Sequence, residues 1–434
     1  MTSFLLSLVH FEAHHTMSIR IETTTLVILG VVVASASPAH ADWPEFRGPL
    51  GDGTARHADL PTEWSRQQNV NWRTELPGEG WSSPVVIGNK IYLTAAVPRL
   101  PTEPDSGFDL ALLIVDADSG ELLRQVTLFG EGPDAPRIHQ KNSRASATPV
   151  FDGKRLYVHF GHHGTACTTL DGEVIWKNDS LTYRPVHGNG GSPVVVAGKV
   201  IFSRDGAETS EITALDASTG ELAWRTPRNV EVRKTFSFCT PLVLDDGKLT
   251  QVIVPGSNVV QSVDPETGEE RWRVTYDGYS VVPRPIYHTG LVFVSTGYDR
   301  ATLLAIDPSG RGDVTETHLR WRATSGIPKT PSLVGFEDKV AMVSDDGIAS
   351  CYDAETGKRQ WIERIGGDFS ASPLLAGNRL YLVSEGGVCT VLDVSGTPSE
   401  IAVNDLGERT LASPAVIDDD LLIRTAEALY RVGR

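Results

Sequence analysis

The chain is short of the features that most often announce chemistry. Among 434 residues there are four cysteines, Cys167, Cys239, Cys351 and Cys389, none adjacent and none at metal-ligand spacing. In an exported chain they have the option of pairing, and the expectation is that they are buried and free. No G-x-S-x-G, H-E-x-x-H or P-loop pattern occurs, which removes the standard signals of hydrolase, metalloprotease and nucleotide chemistry. Sites assembled from separate repeats leave no such signature, so motifs are excluded rather than sites. Positive charge is also in deficit: 39 Lys and Arg face 55 Asp and Glu, and the net charge of −16 disfavours nucleic acid as the general partner. No Pro/Ser/Gly-rich or strongly charged linker divides the chain, and the apolar run Leu26–Val33 is too short to span a membrane.

What the chain has instead is turns. Gly 41 and Pro 26, with 40% hydrophobic and 22% charged residues, make an ordered, turn-rich, all-β composition. At the N-terminus Arg20 precedes the apolar run, and Ala39-His40-Ala41 forms an A-x-A pattern before Asp42. This predicts a signal peptide over residues 1–41, cleaved after Ala41, with Met17 as an alternative start that restores the usual charged beginning. No cysteine lies near the cleavage site, so no lipid anchor is expected, and the protein is predicted to be periplasmic or secreted.

One phrase recurs: DASTGELAW at 216–224, DPETGEERW at 264–272 and DAETGKRQW at 353–361. A second signature precedes it, a small or hydroxyl residue, a proline and an apolar run ended by Gly or Asp-Gly. Its prolines are Pro84, Pro149, Pro193, Pro241, Pro285, Pro331, Pro373 and Pro414, mostly 41 to 48 residues apart. That period belongs to a four-stranded propeller blade. Within one unit, segments 192–198, 199–204, 211–217 and 221–226 read as its strands. The Asp of the D-x-x-T-G turn bonds its own backbone and the Gly supplies the positive φ, so DADSGE at 116–121 is read as a turn rather than a calcium loop. Trp176, Trp224, Trp272, Trp321 and Trp361 end their units and should pack between blades, with Arg124 and Val403 in that place in the first and seventh. The last unit has only three strands, and NVNWRTELP at 69–77, carrying Trp72, supplies the fourth. The prediction is an all-β, eight-bladed propeller of four-stranded antiparallel blades over 69–434, its last blade completed by an N-terminal strand, behind an arm at 42–68.

The D-x-x-T-G-x-x-x-W motif resembles that of the pyrroloquinoline-quinone-like propeller repeat family, and the resemblance covers essentially all of 43–434. The leader WPEFRGPLGDG (43–53) with GWSSPVV (80–86) is similar to a widespread secreted subgroup. The family includes quinoprotein alcohol dehydrogenases and BamB-like propellers of outer-membrane assembly, so the resemblance implies the fold and not an activity. A quinoprotein dehydrogenase would imply a disulfide between adjacent cysteines, a calcium held by acidic and amide groups, and a catalytic Asp, none of which can be placed on this chain. Pyrroloquinoline quinone with calcium is therefore the less favoured cofactor reading, and no catalytic or metal-binding residue is assigned.

Strands of a blade run up and down from the axis outward, so the loop leading into each first strand and the turn joining strands two and three share one face, the mouth. The mouth segments RIHQKNSRAS, GHHG, TYRPVHGNGG, EVRKTFSF, GYDR and IPKTP are rich in Arg, Lys and His. Before the leading prolines stand Ser83, Thr148, Ser192, Thr240, Arg284, Thr330, Ser372 and Ser413, and one position earlier the small-residue rule is broken by Lys329. Arg284 and Lys329 are thus candidates for binding an anion at the mouth, against the plainer reading that each pairs with an acid on a neighbouring blade. His187, followed by Gly188, is a candidate ligand contact or a loop residue capping carbonyls. Trp81 either roofs the mouth or packs under the arm, and Arg144 and Lys234 are candidates by loop position. His159, His162 and His163 read as an exposed turn rather than a metal site. The favoured expectation is a non-enzymatic binding or scaffolding propeller whose partner is an envelope protein or an anionic small molecule. A quinone-dependent oxidoreductase is the alternative, and a carbohydrate-active propeller would need paired carboxylates that the sequence does not identify.

Overall fold

Short apolar runs separated by Gly- and Asp-containing turns fold, in the computed structural model, into eight sheets, seven of them four-stranded and antiparallel; the fourth blade departs from the expected four strands by adding Gly312–Asp313, paired parallel to Glu270–Thr275. The structure describes residues 40–99, 107–132 and 134–434. The predicted signal peptide, apart from His40 and Ala41, and the alternative start at Met17 lie outside these residues. In chain order the first blade runs from Val85–Ile87 to Leu122–Glu131 and the second from Val150–Phe151 to Val174–Asn178. The seventh ends with Ser399–Asp405, and the eighth contains three C-terminal strands and Val70–Glu75. Val70–Glu75 pairs antiparallel with Ala428–Val432, so the two ends of the propeller segment close one blade, as the orphan strand predicts.

The inner strands are unbroken apolar runs because both their faces are covered. Lys90–Pro98 and Ile348–Asp353 are buried through their middles, whereas the outer strand Leu222–Pro227 buries mainly Trp224. The core lies between blades. One cluster joins blades seven, eight and one with Trp43, Leu60 and Trp64 of the arm, and six others fill the remaining seams. The four cysteines are buried and unpaired, each in a different blade or the loop leading into it.

The repeat's tryptophan and turn are two halves of one joint. Trp72, Trp176, Trp224 and Trp321 donate their indole N–H to a carbonyl one residue after the turn Asp of the next blade: Ala117, Ala217, Pro265 and Ala354, at 2.9–3.1 Å. The turn glycine lies flat on the ring. A Cβ at Gly220, whose φ is +76°, would stand 2.4 Å from Trp176. Trp272 departs from this rule because the following turn is longer, so its N–H goes to Gln251 Oε1 instead. Trp361 packs on the seam between blades six and seven. Each of these residues stands beside a β-bulge. That register places Ala402, not Val403, opposite Val391 in the seventh blade, and Val403 points outward at 55% exposure. In the first blade Arg124 occupies the place as expected and donates to Asp171 O across the seam.

Around the axis the hydroxyls before the leading prolines form a belt: the backbone N–H of Ser83 donates to Thr148 Oγ1, that of Thr148 to Ser192 Oγ, and that of Ser192 to Thr240 Oγ1. The belt resumes with Arg284 N–H to Ser332 Oγ, Ser332 to Ser372 and Ser372 to Ser413. This corrects the sequence alignment of the sixth repeat. Its belt residue is Ser332, followed by Leu333 in place of proline, so Thr330, Pro331 and Lys329 precede the belt. Arg284 remains a true exception and Lys329 is not one.

Candidate functional site

The two ends of the axis are covered by different segments. On the face of the D-x-x-T-G turns, the arm enters between first strands. Trp43 pairs with Val86, and Gly53 and Ala55 exchange backbone hydrogen bonds with Leu375. Arg284, 1% exposed, is consumed here: its guanidinium donates to Pro241 O, to Phe46 O and to Glu45 at 3.2 Å. Its acid is therefore on the arm and not on a neighbouring blade. Burial raises the Glu45 carboxyl, with the Arg284 charge opposing it. Arg47, also buried, donates to the carbonyls of Asp52, Leu333 and Pro373, and burial lowers it to about 9. A Cβ at Gly51 or Gly53 would collide with these two guanidinium groups. Between the arm and blades five to seven lies a cavity of about 320 Å³ bordered by Tyr287, His288 and Phe336.

At the mouth, the long loop over 134–149 is the cover. Lys141 reaches Glu385 at 2.8 Å, and Gln140 O accepts from Arg409. Beneath it a cavity of about 330 Å³ is lined by Trp81, His139, Asn142, Arg144 and Arg409. Trp81 roofs the mouth: Arg409 lies 5.5 Å over its ring, while the tryptophans packed with the arm are Trp43 and Trp64. Arg144 is paired with Glu131 at 2.7 Å and rests on Phe108. Burial works to raise Glu131, but hydrogen bonding to His163 and the charges of Arg144 and His163 outweigh it and leave it lowered.

His162 and His163 correct the exposed-turn expectation, for they are half-buried with rings 3.8 Å apart in a short 3-10 turn. Burial pushes His162 down to about 4 and the enclosed His159, packed on Phe202, down to about 3.

His187 stands exposed with φ +67°, and its carbonyl accepts from His139 N–H and Asn142 Nδ2. Its ring belongs to a series. His139 and His187 are 5.6 Å apart, His187 and Phe236 5.2 Å, Phe236 and Tyr279 5.8 Å, and Tyr279 and Tyr298 6.0 Å. Lys234 lies 3.8 Å over Tyr279, and Lys329 lies 4.9 Å over Tyr298. The structure thus gathers His187, Lys234 and Lys329 into one arc across the mouth, sets Trp81 and Arg144 in the adjoining cavity, and removes Arg284 to the sealed end. Arg284 and Lys329 do not converge.

The sequence reading passed over His139, Phe236, Tyr279, Tyr298 and Arg409, although most lie in the basic mouth segments, because charge was weighed there and rings were not. It also missed Arg424, 1% exposed, which ends an apolar inner strand. Its Nη1 donates to Ser82 O and Oγ, and no carboxylate pairs with it among the described residues. Burial alone lowers it to about 9.

The residues present do not fit the quinone and calcium arrangement that the resemblance raised. The cysteines sit in separate places with no adjacent pair, and no group of three or more His, Cys, Asp or Glu among the described residues has the geometry to hold a metal.

A family model described as outer membrane protein assembly factor BamB matches residues 62–185, 165–317 and 312–426. Among solved structures, BamB from Moraxella catarrhalis superposes with TM-score 0.58 at 15% identity, over 83% of this chain and 99% of that one. A quinohemoprotein alcohol dehydrogenase from Comamonas testosteroni gives 0.62 at 13% identity, over 90% and 80%. A europium-containing methanol dehydrogenase gives 0.62 at 12%, over 90% and 91%. At these identities the likenesses speak for the fold alone. No curated protein matches the chain.

Proposed function

The chain belongs to the family described as outer membrane protein assembly factor BamB, and from that premise we propose that it is an exported, non-enzymatic scaffold that holds an envelope protein at its mouth. One contrast supports this reading above the rest: the axis is closed at one end by the arm, where Arg284 and Arg47 are buried on backbone carbonyls and Glu45, while the other end presents rings and cations at a covered but accessible mouth. A dehydrogenase needs a deep site that assembles reacting groups. The mouth instead spreads its chemistry along a surface, as protein recognition does.

Loss of the gene in its host is expected to lower the amount of folded β-barrel protein in the outer membrane. Restoration should require a protein recovered from the periplasmic fraction with the mouth residues intact. Unchanged barrel levels, together with alcohol oxidation by the purified protein given quinone and calcium, would overturn the scaffold in favour of an oxidoreductase.

A further inference from the structure

The geometry points to the mouth as a track for an extended, acidic polypeptide segment, anchored by a carboxylate at the cavity beside Trp81 and Arg409 and laid along the arc from His139 to Tyr298. This deepens the scaffold reading and rests on it, because it names the chemistry of what the scaffold holds.

Length is the first argument. The four ring-to-ring steps, between 5.2 and 6.0 Å each, describe a path of about 23 Å, or about seven residues of extended chain at ~3.3 Å per residue. A small ion or metabolite would use one cavity and leave this path idle.

Ring orientation is the second. The first three steps, from His139 to Tyr279, stand at 76°, 88° and 85° and the last at 53°, so most of the arc offers edges and faces in alternation. Aromatic and branched side chains pack into such a surface edge to face, whereas a sugar ring needs a flat face to stack on.

Charge is the third. Lys234 and Lys329 make no ion pair among the described residues and are held on tyrosine faces, where they remain able to receive a carboxylate. At the cavity, Arg424 lies directly beneath Gly80. A Cβ there would stand 2.3 Å from its Nη2, and Nε has no hydrogen-bond partner. An unpaired buried cation is costly, and it lends a fixed positive field to a cavity that already contains Arg409.

The backbone supports the same surface. His187, Ser280 next to Tyr279, and Asp299 next to Tyr298 all take left-handed conformations at φ +67°, +55° and +68°. Such conformations persist only where their surroundings hold them, and here they set the rings of the arc.

The test uses a fluorescein-labelled peptide, Asp-Phe-Asp-Tyr-Asp-Phe-Asp, followed by anisotropy with the full mature protein. Saturable binding is expected, weakened at least tenfold when every Asp is replaced by Asn, and weakened at least tenfold by Phe236→Ala and by Lys234→Glu. The two variants should melt and show circular dichroism as the parent does, so that lost binding is not lost folding. An acidic oligosaccharide of matched length and charge should compete poorly. Equal binding of the two peptides, undiminished binding by both folded variants, or tighter binding of the oligosaccharide would overturn the proposal. A protein whose loss depletes outer-membrane barrels but which ignores the acidic peptide keeps the scaffold reading and loses this one.

Discussion

The arm at 42–68 and the loop over 134–149 do the same geometrical task at opposite ends of one axis, yet they are held in different ways. The arm enters the sheets, with backbone pairs to Val86 and Leu375 and with Glu45 and Arg47 spent on buried partners. The outer part of the loop, 137–142, stays outside the sheets and is tied by partly exposed contacts such as Lys141 to Glu385, while its inner end is packed down through the buried Ala145 and Ala147. Each repeat already sets its D-x-x-T-G turn on one face and its entry loop on the other, and these two segments deepen that asymmetry. One completes the core, and the other leaves a surface available.

The most severe test of that contrast is Arg284→Ala. It leaves Glu45 and two inward carbonyls around an emptied space, and removing one member of such a pair is expected to cost about 3 kcal/mol. The check is the urea midpoint, with amide exchange rising over 43–53. A loss under about 1 kcal/mol, the range of exposed pairs, would mean that the arm is an ornament and the contrast with the loop is false.

Acid should separate the two ends next. His159 has its folded pKa lowered to about 3 against an ordinary 6.5, so its contribution is complete above 6.5 and is lost as the pH falls toward 3. His162, lowered to about 4, has the same sign. Both lie in the second blade: His159 faces the third blade through Phe202, and His162 stacks on His163, which meets Glu131, the carboxylate that grips Arg144 of the mouth loop. Glu45 has the opposite sign: its folded pKa is raised, so it takes up a proton in the folded state sooner than in the unfolded one and costs nothing on acidification. At about 1.4 kcal/mol per pH unit, His159 accounts for about 2 kcal/mol between pH 6.5 and 5. His159→Gln should flatten stability over that window, measured by denaturant melts at pH 7 and 5, and in the parent exchange should rise at 134–149 before it rises in the arm. An equal rise in both would remove the distinction.

How far the sequence could reveal this follows the repeat. Pro193, Trp224 and Gly220 recur with their neighbours, so a period and a local turn chemistry were enough to place blades, joints and closure. Where the repeat lapses, the pattern misled. Pro331 attracted the alignment although Ser332 carries the belt, and Val403 stood in the count where the bulge places Ala402. The site is harder still, because its parts come from loops that share only a face. Arg284 was conspicuous in sequence for breaking a rule, but the rule concerned the axis, and the arm that neutralises it lies 239 residues away. The rings of the arc break no rule. His139, Phe236 and Tyr298 become a feature only through distances between blades.

The smallest effect should come from Lys141→Ala. Its bond to Glu385 at 2.8 Å is partly exposed, and pairs of that kind contribute less than about 1 kcal/mol once side-chain entropy and screening are counted. Global stability is therefore expected to change by under about 0.5 kcal/mol. Local opening is another matter, because a segment opens at the cost of its own contacts and not of the whole core. Amide exchange over 137–142 should quicken several-fold while the arm keeps the parent's protection. If the substitution instead costs as much as Arg284→Ala, the loop is part of the core in the same sense as the arm, and the mouth loses its claim to be the separable surface. If exchange quickens and stability holds, the loop is a cover whose opening is governed by one ion pair and the Arg409 bond to Gln140, which is the arrangement a binding face requires and a sealed axis does not.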